Sequence, residues 1–196
     1  MKKIPTLFKR EYLNHHVVRT LPEVTPGCEW VLEGEGIATV KWDGSCCAII
    51  NDELYKRYDA KNGKQPPEGA IPCCDPDPIT GHWPHWVKCD RKKPEDQWFF
   101  AAFNYPAFQF YRKNKSYYTC EAIGVHFQGN PYHMDHDMLL PHGDDIINDL
   151  DRSFEGIHTY LQNHVIEGIV FWKDGEPQCK IKRSDFGLSW PKSIND

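Results

Sequence analysis

Two stretches of this chain read as strand, tight turn, strand, and they restrict the fold more than any other feature. Residues 45–52 (SCCAIIND) lead into 53–59 (ELYKRYD) through Asn51-Asp52, and residues 165–172 (VIEGIVFW) lead into 177–182 (PQCKIK) through Lys173-Asp174-Gly175. Asn, Asp and Gly tolerate the backbone that tight hairpin turns need. Strands joined so closely pair antiparallel, because a parallel pair needs a long crossover. Residues 28–33 (CEWVLE), 37–41 (IATVK) and 117–125 (YYTCEAIGV) predict three more short strands. Two stretches predict helices. PEDQWFFAAF begins at Pro94 with acids in its first turn, and residues 144–164 set Ile146, Ile147, Leu150, Phe154, Ile157 and Leu161 on a helical stripe. The expectation is an α+β fold with antiparallel sheets and flanking helices.

At 196 residues one domain is the default, with a core that needs no disulfides. Residues 62–95 hold seven of the fifteen prolines and predict a long inserted loop, and residues 129–143 read as mainly loop. The net charge of −5 does not mark a nucleic-acid binder, although local patches govern binding. Arg91-Lys92-Lys93 and Arg112-Lys113-Lys115 are such patches, candidates for phosphate contact. No apolar run approaches the roughly 20 residues that span a bilayer. The basic start breaks at Lys9-Arg10, unlike a secretory signal. Eight cysteines, two pairs of them adjacent, are then expected as free thiols in a reducing cytoplasm or nucleus.

Four groups of residues carry chemistry. Lys41-Trp42-Asp43-Gly44 ends one expected strand just before another. A lysine there attacks as a nucleophile if nearby cations and burial favour its neutral form, and Gly44 lets the chain turn tightly under a ligand. Glu167 heads an apolar strand, and Lys180 and Lys182 share a face of the next, where two ammonium groups call for an anion between them. Glu121 interrupts an apolar strand and needs a cation, a metal or ligand hydroxyls. Arg57 follows Lys41 by one hairpin, which can return it beside that lysine. A structural zinc at Cys73, Cys74, His82, His85 and Cys89 is a rival reading, although the spacing fits no standard knuckle.

In this order the groups resemble the covalent nucleotidyltransferase superfamily of ATP-dependent RNA and DNA ligases and mRNA capping enzymes. Lys41-Trp42-Asp43-Gly44 matches motif I. Residues 118–124 look like motif III, 167–171 like motif IV and 178–182 like motif V. The likeness covers about residues 28–190. Within the superfamily, 41–47 (KWDGSCC), 75–87 (DPDPITGHWPHWV) and 129–132 (GNPY) are most similar to the small 5′-to-3′ RNA ligase 1 group.

The resemblance implies an adenylyltransferase (ATP-grasp-like ligase) fold over residues 1–196, with a Pro-rich insertion at about 62–95. It implies ATP as AMP donor, Mg²⁺ or Mn²⁺, and RNA with 5′-phosphate and 3′-hydroxyl ends as partner. Lys41 would form the lysyl-AMP, and Lys180 and Lys182 would hold the α-phosphate. Asp43, Gly44, Arg57, Glu121 and Glu167 would line the nucleotide, with Glu167 and Glu121 near the metal. Phe127 or His126 would stack on adenine. Ala38-Thr39-Val40 lacks the polar group that many RNA ligases set there to read the adenine amino group, leaving ATP preference to other contacts. Fourteen residues follow Lys182, too few for an OB-fold, so a ligase without that domain is expected. The alternatives are a nick-sealing DNA ligase, a capping guanylyltransferase, or a non-catalytic nucleic-acid-binding relative.

Overall fold

Asn51 and Asp52 both take positive φ, 50° and 63°, and so do Asp174 and Gly175, 55° and 77°. Paired left-handed residues give a turn whose twist matches that of the strands it joins. Both expected hairpins therefore form. The structure is a computed structural model that describes residues 3–14, 16–61, 63–111 and 115–190. Its strands are β1 (Phe8–Leu13), β2 (His16–Val24), β3 (Ile37–Lys41), β4 (Ser45–Ile50), β5 (Glu53–Ala60), β6 (Ile71–Pro72) and β7 (Trp83–Lys88). Helices α1 (Gln97–Asn104) and α2 (Pro106–Tyr111) follow, then β8 (Tyr117–Ile123), β9 (Met138–Pro141), α3 (Phe154–Asn163), β10 (Gly168–Lys173) and β11 (Glu176–Lys182). The strand pairs within the sheets are antiparallel, and the fold is mixed α+β as expected. No helix among the described residues is long and apolar enough to cross a membrane.

The chain divides into two compact units. The first holds Asp43–His142 and is built on a sheet of order β6-β7-β5-β4-β8-β9. Period-two alternation along β4 sends Cys47 and Ile49 to one face, where they pack with Phe108, Leu139 and Phe127 and with Phe99 and Phe103 of α1. Cys46, Ala48 and Ile50 take the other face with Tyr55 and Trp86. Asp96, fully buried ahead of α1, accepts from Lys56 Nζ and from the Asp90 backbone at 2.8 Å, so its charge is paired.

The second unit holds Ile4–Trp42 and the described residues from Gly143 on. Its sheet runs β11-β10-β3, beside the hairpin β1-β2. Ala38, Ile169, Phe171, Cys179 and Ile181 face one side and join Ile157 and Leu161 of α3 with Leu7 and Phe8. Each large apolar side chain so buried contributes about 1.5–3 kcal/mol. That gain fixes the register, because a slip of one residue would expose every one of them. The opposite face is thereby assigned to Thr39, Lys41, Val170, Lys180 and Lys182.

Three local expectations are corrected. Residues 28–33 form no strand: Glu29–Val31 is a 3-10 turn, and Cys28 and Val31 are buried three apart, a helical spacing. The stretch 62–95 is not all loop, since β7 buries His85 and Trp86 in the sheet. The stretch 129–143 is mainly loop as expected, with the short β9 inside it. Residues 144–164 are helical only from Phe154, after Ser153 caps α3 by accepting from Gly156 N at 3.0 Å. Before it, Ile147 N donates to Ala38 O at 2.8 Å and Val40 N to Asp145 O at 2.9 Å, so Ile146 and Ile147 serve as an edge to β3.

Candidate active site

In the second unit, Gly168 lies opposite Lys41 on one side and opposite Lys182 on the other. Directly paired residues project to the same face, so the two lysines flank a position with no side chain. A Cβ on Gly168 would stand 2.2 Å from the Ile181 carbonyl oxygen, which only glycine permits. Lys180 shares this face two residues before Lys182.

Glu167 precedes β10 rather than lying inside it. Within the strand, alternation would turn its carboxylate toward the Ile169 side and the core. In the bend it reaches the lysine face. Lys41 Nζ donates to Glu167 Oε2, and Lys182 Nζ lies 3.5 Å from Oε1. The backbone locks this bend: Glu167 N donates to Lys41 O at 3.1 Å, and Glu167 O accepts from Arg183 N at 2.9 Å. The Lys41 and Glu167 side chains are 25% and 21% exposed, partly screened yet open to a ligand.

Burial pushes the Lys180 ammonium below its usual range, and the nearby charges of Lys41 and Lys182 push it further. Glu167 and Asp185 oppose this and are outweighed. Asp185 is engaged elsewhere, near Arg10 Nη1 at 3.3 Å and accepting from Lys182 N at 2.8 Å. A pair of like charges about 4 Å apart is worth about 4 kcal/mol at an effective dielectric near 20. Three ammonium groups around the one carboxylate of Glu167 leave the cluster short of negative charge.

Arg183 was not foreseen from the sequence. It is buried and donates to the Leu161, His164 and Ser189 carbonyls, satisfying the end of α3 and anchoring the chain just after Lys182.

The first unit carries the remaining candidates. Asp43 N donates to the Tyr132 hydroxyl at 2.6 Å, and Gly44 O accepts from Gln128 at 3.2 Å. A Cβ on Gly44 would meet the Ala122 oxygen at 2.2 Å, so the close approach requires glycine. Arg57 Nε donates to Asp59 at 2.8 Å. Glu121 lies opposite Cys46 and bonds His142 Nε2 at 3.0 Å, a partner the sequence did not indicate. Burial, then the Glu121 charge, pushes the Cys46 thiol up to about 12.

Phe127 is a core side chain, 4% exposed and edge-on to Phe99, a role unlike adenine stacking. His126 lies flat on Trp98 at 3.4 Å between ring centroids and bonds Asp137 at 2.7 Å. The rival zinc set does not gather: Cys89 packs on one face of the sheet, Cys73 on the other, and His85 bonds the Trp83 carbonyl. Arg91-Lys92-Lys93 is exposed, with Arg91 over the Phe100 ring at 4.2 Å. Arg112 and Lys113 lie outside the described residues, and Lys115 is exposed.

Lys41, Lys180, Lys182 and Glu167 thus converge in one unit, while Arg57 and Glu121 belong to the other. No family model matches the chain, and no curated protein matches it.

Proposed function

We propose that the chain is an ATP-dependent RNA ligase on an adenylyltransferase fold, with Lys41 as its nucleophile. The observation that carries this reading is the Lys41–Glu167 pair set beside Lys180 and Lys182 on one face of β11-β10-β3. Lys41 Nζ attacks the α-phosphorus of ATP. The ammonium first gives a proton to Glu167 Oε2, its hydrogen-bond acceptor; the neutral amine then forms the N–P bond as the bond to pyrophosphate breaks, and the second Nζ proton passes to the departing pyrophosphate. Lys180 and Lys182 stabilise the charge that develops on the phosphoryl oxygens. The AMP then moves to an RNA 5′-phosphate, and a 3′-hydroxyl displaces it.

Mg²⁺ enters as MgATP, the substrate. Neither carboxylate assigned to metal by the resemblance sits in an all-oxygen setting. Both oxygens of Glu167 face ammonium groups, and Glu121 sits with sulfur and nitrogen. No step here depends on a metal held by the protein alone.

The choice of RNA rests on the likeness of residues 41–47, 75–87 and 129–132 to the small RNA ligases. The test offers 5′-phosphorylated RNA, nicked RNA duplex and nicked DNA, each with ATP or GTP. The expected result is an RNA 5′-phosphate that becomes phosphatase-resistant with ATP. Joining of DNA alone, or labelling by GTP alone, overturns the RNA ligase reading in favour of nick sealing or capping. A protein that binds these nucleic acids and labels with neither nucleotide is a non-catalytic relative.

A further inference from the structure

Three neighbouring strands of the first unit each bring one metal-ligating side chain to the same face. Cys46 of β4 lies directly opposite Glu121 of β8. His142 extends β9 by one residue, its backbone N donating to Thr119 O at 3.0 Å, which brings it level with Thr119 and Glu121. Cys46 Sγ, a Glu121 carboxylate oxygen and a His142 ring nitrogen all lie within 4.8 Å of one another. Ligand atoms around a tetrahedral zinc stand about 3.5 Å apart, given bonds of about 2.0–2.3 Å. The set is therefore close to coordinating distance before any ion arrives.

The imidazole is also oriented as a ligand. His142 Nδ1 bonds the Thr119 hydroxyl at 2.8 Å, and Nε2 is directed at Glu121 at 3.0 Å. A ligating histidine characteristically engages its other nitrogen in this way, which fixes the tautomer and the ring plane. With Nδ1–H given to Thr119, Nε2 presents a lone pair to a carboxylate oxygen, and a cation between them satisfies both. The mixture of sulfur, nitrogen and oxygen suits Zn²⁺ or Co²⁺ over Mg²⁺.

We infer that Cys46, Glu121 and His142 form a transition-metal site of the zinc class. Its fourth position is open to water or to an anionic oxygen, as in three-ligand zinc sites. Arg57 follows Lys56, the cross-strand partner of Cys47, and so falls opposite Cys46, a placement that suits an anionic fourth ligand. The site does not rest on the ligase reading. It gives Glu121 partners that the resemblance did not assign.

The test uses the untagged full chain, stripped with a chelator and titrated with Co²⁺. The expected result is a single tightly bound Co²⁺ per chain, with tetrahedral visible bands and a near-ultraviolet thiolate-to-cobalt band. Cys46→Ser abolishes the thiolate band, and His142→Ala weakens binding. Cys74→Ser, outside the set, changes neither. Thr119→Val leaves all three ligands in place and lowers affinity by about tenfold, as loss of a supporting hydrogen bond does. It keeps the proposal testable if the ligand variants fail to fold. Absence of a thiolate band in the wild type, or its survival in Cys46→Ser, overturns the site and leaves His142 a hydrogen-bond partner of Glu121. Lysyl-AMP labelling of the same samples reports on the ligase reading separately.

Discussion

Lys180 is the residue at which stability and the proposed chemistry pull apart. Its ammonium is half-buried and repelled by Lys41 and Lys182, so its pKa lies below 10.5 in the folded protein. A lysine lowered on folding destabilises the fold at every pH where it is charged in both states. The penalty is full below the folded-state value and fades as pH rises toward 10.5, where the unfolded chain also loses its proton. Lys180→Met is therefore expected to raise the unfolding midpoint at neutral pH while suppressing lysyl-AMP formation. Its advantage over wild type should shrink in alkaline buffer. A variant that is less stable at pH 7, or that labels normally, contradicts this view of the cluster. The three lysines and Glu167 were legible in the sequence because each breaks a pattern, a charge on a strand end or two charges on one strand face. Cys46 and His142 were not. Cys46 sits beside a second cysteine that points the other way, and His142 follows a strand that the sequence did not reveal.

At the scale of elements, β10 works because Gly168 starts it. Its missing side chain lets β11 approach and leaves room between Lys41 and Lys182. Gly168→Ala is expected to lower stability by about 1–3 kcal/mol through overpacking against the Ile181 carbonyl. Labelling should fall further than stability does, because the lysines are pushed apart. Denaturant melts and labelling of the folded fraction check this, and wild-type values in both contradict it. The hairpins β4-β5 and β10-β11 were readable because turn chemistry and alternation agreed. The apolar spacing of 144–153 predicts a helix, yet its backbone bonds the edge of β3. Backbone pairing with a distant strand leaves no mark on local periodicity. The same holds for β7, whose burial was hidden among prolines.

For the whole molecule, the net charge of −5 says little about where anions bind. The lysine cluster predicts that tripolyphosphate, a polyanion with no base or sugar, raises the melting temperature. At 100 times its dissociation constant the stabilisation is about 2.7 kcal/mol. The shift should fade with added salt, because the site is partly open. It should vanish in a Lys180→Met/Lys182→Met double variant. A shift that survives both changes places the anion elsewhere. The α+β class was legible from the strand and turn pattern. The division into two units was not, because the chain leaves the second unit at Trp42 and re-enters it at Gly143. That pairing of β3 with β10 spans more than half the sequence and cannot be seen in any window of it.

The proposed ligase chemistry requires the Lys41 amine to become covalently adenylated. Intact mass after incubation with ATP and Mg²⁺ tests it most directly, on wild type and on Lys41→Ala. The expected result is the added mass of a single AMP on wild type, lost at acid pH as a phosphoramidate is, and none on the variant. Equal adenylation of Lys41→Ala, or none on wild type, contradicts it.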